Sequence, residues 1–175
     1  GAKDIRGMVD NRPLEQFLKA NLAHSDGRIG GIADNLQAGV LQALAIISTS
    51  YANGRSVAWV ESNTDKINMG SQVSAKPTQI AIQHIMASAA LPLFFPAVSI
   101  EGQWHGDGGV RLAAPLSPAM HLGAKRILAV SPRAQPLQLS KTVANQSYPS
   151  PSQVAGVMLN AIFLDLLDYD AIQME

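Results

Sequence analysis

Two apolar runs that flank an Asn-Gly pair constrain the fold of this chain more than any other feature. Residues 40–50 are apolar and rich in β-branched side chains, and in residues 56–61 Val57 and Trp59 alternate with small or polar neighbours. Asn53-Gly54 between them is typical of a type I′ turn, because both residue types tolerate positive φ. The sequence therefore predicts an antiparallel hairpin closed by a type I′ turn.

Helical patterns surround this hairpin. Four segments have apolar residues at helical spacing: residues 11–22, 32–36, 77–90 and 117–122. Pro13 suits the first turn of the first of these helices. Residues 64–76 are polar and indicate a loop or a ragged strand.

A second hairpin and a buried strand complete the predicted sheet. Residues 95–100 and 103–105 are short extended runs around Glu101-Gly102. Residues 126–130 are apolar and follow a predicted helix, so they predict a buried strand. Because helices alternate with buried strands in this part of the chain, we expect an α/β fold.

The last forty residues differ in composition from the rest. Residues 132–151 are rich in proline, serine and glutamine and indicate an exposed linker, after which residues 152–170 predict an apolar C-terminal helix. Asp165, Asp168 and Asp170 make the polar side of this helix acidic, whereas helices that lie on membranes are usually basic there. We therefore expect the helix to pack against the domain.

Composition excludes several functional classes. The 13 basic and 13 acidic residues balance, so no basic patch indicates a nucleic acid partner. The absence of cysteine excludes disulfides and thiolate zinc sites, which fits the cytoplasm but also fits many bacterial proteins elsewhere. No apolar run is long enough to cross a bilayer, and no signal pattern opens the chain, so we expect a cytoplasmic protein whose natural N-terminus lies upstream.

Asp107 is the strongest candidate for chemistry. It lies between Gly106 and the pair Gly108-Gly109, which place a short carboxylate on a backbone that turns sharply and approaches other groups closely. Such a carboxylate suits a general base. An ordinary tight turn is the alternative, since Asp-Gly is the commonest turn dipeptide, and the spacing alone does not decide between them.

Several stretches resemble the bacterial patatin-like phospholipase family in the same order along the chain. They are Asp10-Asn-Arg-Pro-Leu, Ser48-Thr-Ser-Tyr, Ala87-Ser-Ala-Ala, Pro92-Leu-Phe-Phe-Pro, Asp107-Gly-Gly, Pro115-Leu-Ser-Pro-Ala, His121-Leu-Gly-Ala and Tyr148-Pro-Ser-Pro. The resemblance implies a three-layer α/β/α fold and hydrolysis of lipid acyl esters without a cofactor. It also implies a Ser-Asp dyad, with no histidine between, in which the catalytic aspartate is Asp107.

The family's nucleophile motif does not occur in this sequence. No serine has the flanking glycines of Gly-x-Ser-x-Gly, and Gly30-Gly31 lacks the third glycine and the basic residue of an oxyanion loop. We therefore expect residues 1–175 to be an incomplete patatin-like domain, without the N-terminal strands and the nucleophile elbow, and inactive alone. The alternative is a non-catalytic scaffold or regulatory protein of the same fold.

Other residues near Asp107 have two interpretations each. Trp104, Phe94 and Phe95 are candidates for lining an acyl pocket, although aromatic residues at strand positions usually belong to a core. Arg111 either contacts an anionic lipid headgroup or pairs with a carboxylate. His105 has no second ligand pair at metal-binding spacing, so we expect no metal site.

An incomplete sheet also predicts partners. The missing strands would leave an open edge and an uncovered face. We expect either a companion fragment or a second copy of the chain to cover them. The resemblance further implies a lipid or acyl-ester substrate and a peripheral contact with membranes.

Overall fold

The computed structural model describes residues 7–22, 24, 26–64, 67–111 and 115–130. This part of the chain contains four α-helices: α1 (Arg12–Leu22), α2 (Ile32–Gln37), α3 (Ile82–Ser88) and α4 (Ser117–His121). It contains five strands: β1 (Ala43–Ser50), β2 (Ser56–Ser62), β3 (Val73–Pro77), β4 (Val98–Ile100) and β5 (Gln103–Asp107). A single 3₁₀ turn, Gly108–Val110, follows β5. None of the described helices is long and apolar enough to cross a bilayer.

The strands form one mixed sheet in the order β3-β2-β1-β5-β4, with β1 at its centre. β1 pairs antiparallel with β2, and β5 pairs antiparallel with both β1 and β4. β3 runs parallel to β2. A sheet of this kind with helices packed on it confirms the predicted α/β fold.

β2 explains how the layers are arranged, because both of its faces are buried. Val57 and Trp59 pack in a cluster with residues of α2 and α3 on one face of the sheet. Ala58 and Val60 pack on the other face with Met69 and, more peripherally, with Leu122 after α4. A strand buried on both faces has a continuous run of apolar residues, and residues 57–60 are such a run.

Half of β1 has an open backbone edge. β5 pairs with β1 only from Ser48 to Ser50. On β1, the Ser50 N–H bonds toward β2 and the Tyr51 N–H bonds to Trp104 on β5. Backbone groups alternate in direction along a strand, so those of residues 43, 45 and 47 point to the β5 side. Gly108 lies against the Ile47 carbonyl, and no strand within the described residues lies beside residues 43–45.

The first hairpin is confirmed, but its type I′ turn is wrong. β1 and β2 are joined through residues 51–55, and only Gly54 among them has a positive φ, of 66°. The Tyr51 N–H bonds to Trp104 O on β5, so the chain follows β5 before it turns back. The type I′ geometry occurs instead in the second hairpin, where Glu101 and Gly102 have φ of 51° and 76°.

Other boundaries also differ from the predictions. The helix expected at residues 77–90 begins only at Ile82, because Pro77 still pairs with Val60 as the end of β3. Residues 126–130 do not form a strand: Leu128 and Val130 are exposed, and apolar composition alone does not supply a backbone partner. The linker and the C-terminal helix predicted at 132–151 and 152–170 lie outside the described residues.

Candidate active site

Asp107 lies where β5 ends and the 3₁₀ turn begins. Its backbone N–H donates to Ala90 O, just after α3, at 2.9 Å. Its backbone carbonyl accepts a hydrogen bond from Thr49 Oγ1 on β1 at 2.8 Å. The segment after α3 and the central strand therefore hold the backbone of the same residue through its two successive peptide groups.

The Asp107 carboxylate is half-buried and is held by its own turn. The Gly109 N–H donates to Asp107 Oδ1 at 2.6 Å, and no other donor among the described residues bonds this carboxylate. Burial raises the pKa of Asp107 above the usual aspartate value, although the bond from Gly109 acts in the opposite direction. Such a carboxylate is a stronger base than an exposed one and can accept a proton from a hydroxyl within hydrogen-bond reach.

The three glycines beside Asp107 each make a different contact. A Cβ on Gly106 would overlap the Tyr51 hydroxyl, and a Cβ on Gly108 would overlap the backbone carbonyl of Ile47. Gly109 supplies the N–H that bonds the carboxylate. Gly108 thus lies against β1 at a distance that only a residue without a side chain permits.

Tyr51 is a neighbour of Asp107 that the sequence did not single out as a site residue. Its ring lies over Gly106, and its side chain is half-exposed. Burial, and then the negative charge of Asp107, raise the pKa of Tyr51 above the usual tyrosine value. The phenol is therefore protonated at neutral pH. Its place in the stretch Ser48-Thr-Ser-Tyr was the only sequence signal for it.

A serine–histidine pair also lies near Asp107, but it is enclosed. Ser48 Oγ is 3.1 Å from His105 Nδ1 and accepts a hydrogen bond from Trp59 Nε1 at 2.8 Å. Ser48 is 0% exposed and His105 1%. Burial, followed by the positive charge of Lys76, lowers the pKa of His105. A substrate has no access to this hydroxyl, so the pair belongs to the core.

The candidate pocket residues differ in their exposure and position. Trp104 is half-exposed and lies three positions before Asp107 on β5, so the two side chains leave opposite faces of the sheet. Phe94 and Phe95 are partly buried in the turn after α3. Arg111 is exposed, and no carboxylate among the described residues pairs with it.

One groove of the described residues lies away from Asp107. It has a volume of about 500 Å³ and runs between α1, α3 and β4, with Glu15, Lys19, Gln83 and Met86 in its walls. Asp107 is not among the residues that line it. Within the described ranges, no three His, Asp or Glu side chains converge on a possible metal site.

Comparison with known proteins identifies the family. No curated protein and no solved structure matches the chain. The sequence model of the patatin-like phospholipases, however, matches residues 3–120, which include every described strand and Asp107. Because this match covers more than half of the sequence, the chain belongs to the patatin-like phospholipase family.

Proposed function

We propose that this chain supplies Asp107 as the general base of a serine lipid acyl hydrolase. The observation that carries the proposal is the half-buried Asp107 carboxylate, fixed by the Gly109 N–H at 2.6 Å in a chain of this family. The raised pKa of Asp107 is consistent with this role, since it makes the carboxylate a better proton acceptor. The substrates are acyl esters of lipids, reached through a transient contact with a lipid surface.

The chemistry follows from one carboxylate and one hydroxyl. The serine Oγ attacks the acyl carbonyl while its proton moves to Asp107, and the C–O bond of the ester then breaks. The proton passes from Asp107 to the departing alcohol, which leaves an acyl-serine. Water then attacks the acyl-serine and gives up a proton to Asp107, and the bond between the acyl carbon and the serine Oγ breaks. The proton passes from Asp107 to Oγ, which restores the serine and releases the carboxylic acid.

The nucleophile lies outside this sequence, and the open edge of β1 indicates where it enters. Nucleophile serines of the Gly-x-Ser-x-Gly type sit on a sharp turn at the carboxyl end of a strand. A strand laid parallel to β1 along residues 43–45 ends next to the turn after Asp107, since Gly108 lies against Ile47 and Asp107 lies opposite Ser48. That strand comes from a companion segment, either of the native polypeptide or of a second chain.

Hydrolysis of p-nitrophenyl acyl esters tests the proposed chemistry. In the native polypeptide that contains this sequence, Asp107→Asn should lower kcat by about 10³-fold or more. Asp34→Asn, at an exposed position of α2, should leave kcat unchanged. The 175-residue chain alone should be inactive. Full activity of the Asp107→Asn variant would exclude the role of base, and a native polypeptide without esterase activity would favour a non-catalytic scaffold.

Hydrogen exchange tests the position of the companion strand. The amides of Ala43 and Ala45 should exchange at least about 100-fold more slowly in the native polypeptide than in the 175-residue chain. Ala45→Pro removes an N–H that points to the open edge, so it should disrupt the native polypeptide, whereas Ala33→Pro in the exposed first turn of α2 should be tolerated. Equal exchange rates in the two polypeptides would rule out a strand at this edge.

A further inference from the structure

The position of Asp107 depends on a very short junction. β5 and β1 share only three residue pairs, Ser48↔Asp107, Thr49↔Gly106 and Ser50↔His105, whereas β1 and β2 share seven. The carboxylate itself is bonded only by its own turn among the described residues. Its direction in space is therefore set by the backbone of Asp107 and by whatever fixes that backbone to β1.

All three residues that β1 contributes to this junction carry a hydroxyl. Ser48, Thr49 and Ser50 are 0%, 3% and 1% exposed. Ser48 pairs with His105 on β5, and the Ser50 hydroxyl accepts a bond from the Ala52 N–H within its own loop. Thr49 is the member of this set whose hydroxyl bonds Asp107 itself.

The Thr49 bond joins two distant parts of the chain at the point where β5 ends. Thr49 Oγ1 donates to the Asp107 carbonyl across 58 residues of sequence, at 2.8 Å. Immediately beyond this carbonyl, Gly108 lies so close to the Ile47 carbonyl that no side chain fits. The hydroxyl thus fixes the peptide that begins the turn, and through it the Gly109 N–H that holds the carboxylate.

We propose that Thr49 is a positioning residue for Asp107, an inference that rests on the proposed function. Thr49 does not touch the reacting atoms. Its hydroxyl holds the Asp107 peptide against β1, so that the carboxylate faces the strand edge at which the nucleophile enters. Without this bond a partly buried carbonyl loses its partner and the turn is free to move from β1.

Three variants of the native polypeptide test this role. Thr49→Val keeps the size of the side chain and removes the hydroxyl, whereas Thr49→Ser keeps the hydroxyl. Thr78→Val is the control: it makes the same replacement directly after β3, where the hydroxyl has only a 3.5 Å contact with the Gln79 carbonyl. Thr49→Val should lower kcat by about 10- to 100-fold with little change in KM, because a small misplacement of a catalytic group has effects of this size. Thr49→Ser should restore most of the rate, and Thr78→Val should resemble the wild type.

Titration of the Asp107 side chain by ¹³C NMR gives a readout that does not depend on activity. If Thr49 holds the turn, Thr49→Val should move the titration midpoint of Asp107 toward the value of an exposed aspartate, and Thr49→Ser should not. An unchanged midpoint and an unchanged kcat in Thr49→Val would overturn the inference. If Thr49→Val fails to fold, Thr49→Ala and Thr49→Ser make the same comparison, since they differ only by the hydroxyl.

The Asp107 and Thr49 variants together also separate this inference from the proposed function. If Asp107→Asn retains full activity while the Asp107 midpoint still moves in Thr49→Val, the function is wrong and the positioning of Asp107 stands. If Asp107→Asn is inactive and neither the rate nor the midpoint responds to Thr49→Val, the function stands and the role of Thr49 is wrong.

Discussion

The two glycines on either side of Asp107 lie against different kinds of neighbour. A methyl group on Gly108 meets the Ile47 backbone, which cannot move without disturbing β1, so Gly108→Ala should destabilise the protein by about 2–4 kcal/mol. A methyl group on Gly106 meets the end of the half-exposed Tyr51 side chain, which can rotate into solvent, so Gly106→Ala should cost less than about 1.5 kcal/mol. Urea unfolding of both variants measures the difference, and equal losses would contradict it.

The charge of Asp107 should reduce stability at neutral pH. Burial raises the pKa of Asp107 above the ordinary value of 3.8, so the folded state holds this proton more tightly than the unfolded state. Stability is therefore lost as pH rises from about 3.8 through the folded pKa. Asp107→Asn removes this cost while its amide oxygen still accepts from Gly109, and should therefore raise stability at pH 7. The gain should vanish near pH 3.5, and an Asn variant that is less stable at pH 7 would refute this account.

The sequence placed Asp107 in a turn but did not find the residues that hold it. The Gly-Asp-Gly-Gly pattern is local and indicates a turn by itself. Thr49 and Tyr51 approach Asp107 and Gly106 from a strand more than fifty residues away. Such contacts follow from strand register, which no pattern within a few residues of Asp107 contains.

At the scale of elements, the turn between α3 and β4 contains a strained residue. Leu93 has a φ of 71°, which is unusual for a bulky side chain, and the side chain is 77% exposed. Leu93→Gly removes the backbone strain of the positive φ and loses few contacts. It should raise the free energy of unfolding by about 0.5–1 kcal/mol, although the greater entropy of glycine in the unfolded chain opposes this gain. Leu128→Gly, at an exposed position without a positive φ, should give no gain. Thermal unfolding compares the two, and a loss at Leu93 would show that its side chain has a partner.

The sequence predicted helices and hairpins well, because their patterns are local. It predicted strands and turns poorly where strand pairing with a distant segment determines the structure. The helices and both hairpins have clear periodicity, so the sequence located them. Asn53-Gly54 suggested a tighter turn than the chain makes, because the Tyr51 N–H is taken by β5. β3 is short and polar at several positions, and it is a strand because it pairs with β2. Residues 126–130 have the composition of a strand and no described partner.

At the scale of the whole molecule, two buried histidines should make the fold sensitive to acid. His84 and His105 are 2% and 1% exposed, and their rings lie 4.9 and 5.2 Å from Trp59. Burial lowers the pKa of both below 6.5, so the unfolded state binds protons more readily. The free energy of unfolding should therefore reach its full value above about pH 6.5 and should decrease below that pH by on the order of 1 kcal/mol per pH unit.

Urea unfolding at pH 7.5, 6.5 and 5.5, followed by circular dichroism, measures this dependence. His84→Gln should flatten the decline, because one of the two buried rings no longer takes up a proton on unfolding. His24→Gln, at an exposed position, should leave the decline as it is in the wild type. A stability that does not change between pH 7.5 and 5.5 would contradict the prediction.

The environment of Trp59 has an optical consequence. Its indole is 0% exposed between two histidine rings, beneath Lys76, whereas the indole of Trp104, the other tryptophan of the chain, is 49% exposed. The two chromophores should therefore emit at different wavelengths, the buried one further to the blue. Because both histidines take up protons when the protein unfolds, the blue component should be lost together with the fold as the pH falls. The core of the sheet thus carries an intrinsic fluorescent reporter of acid unfolding, which needs no label.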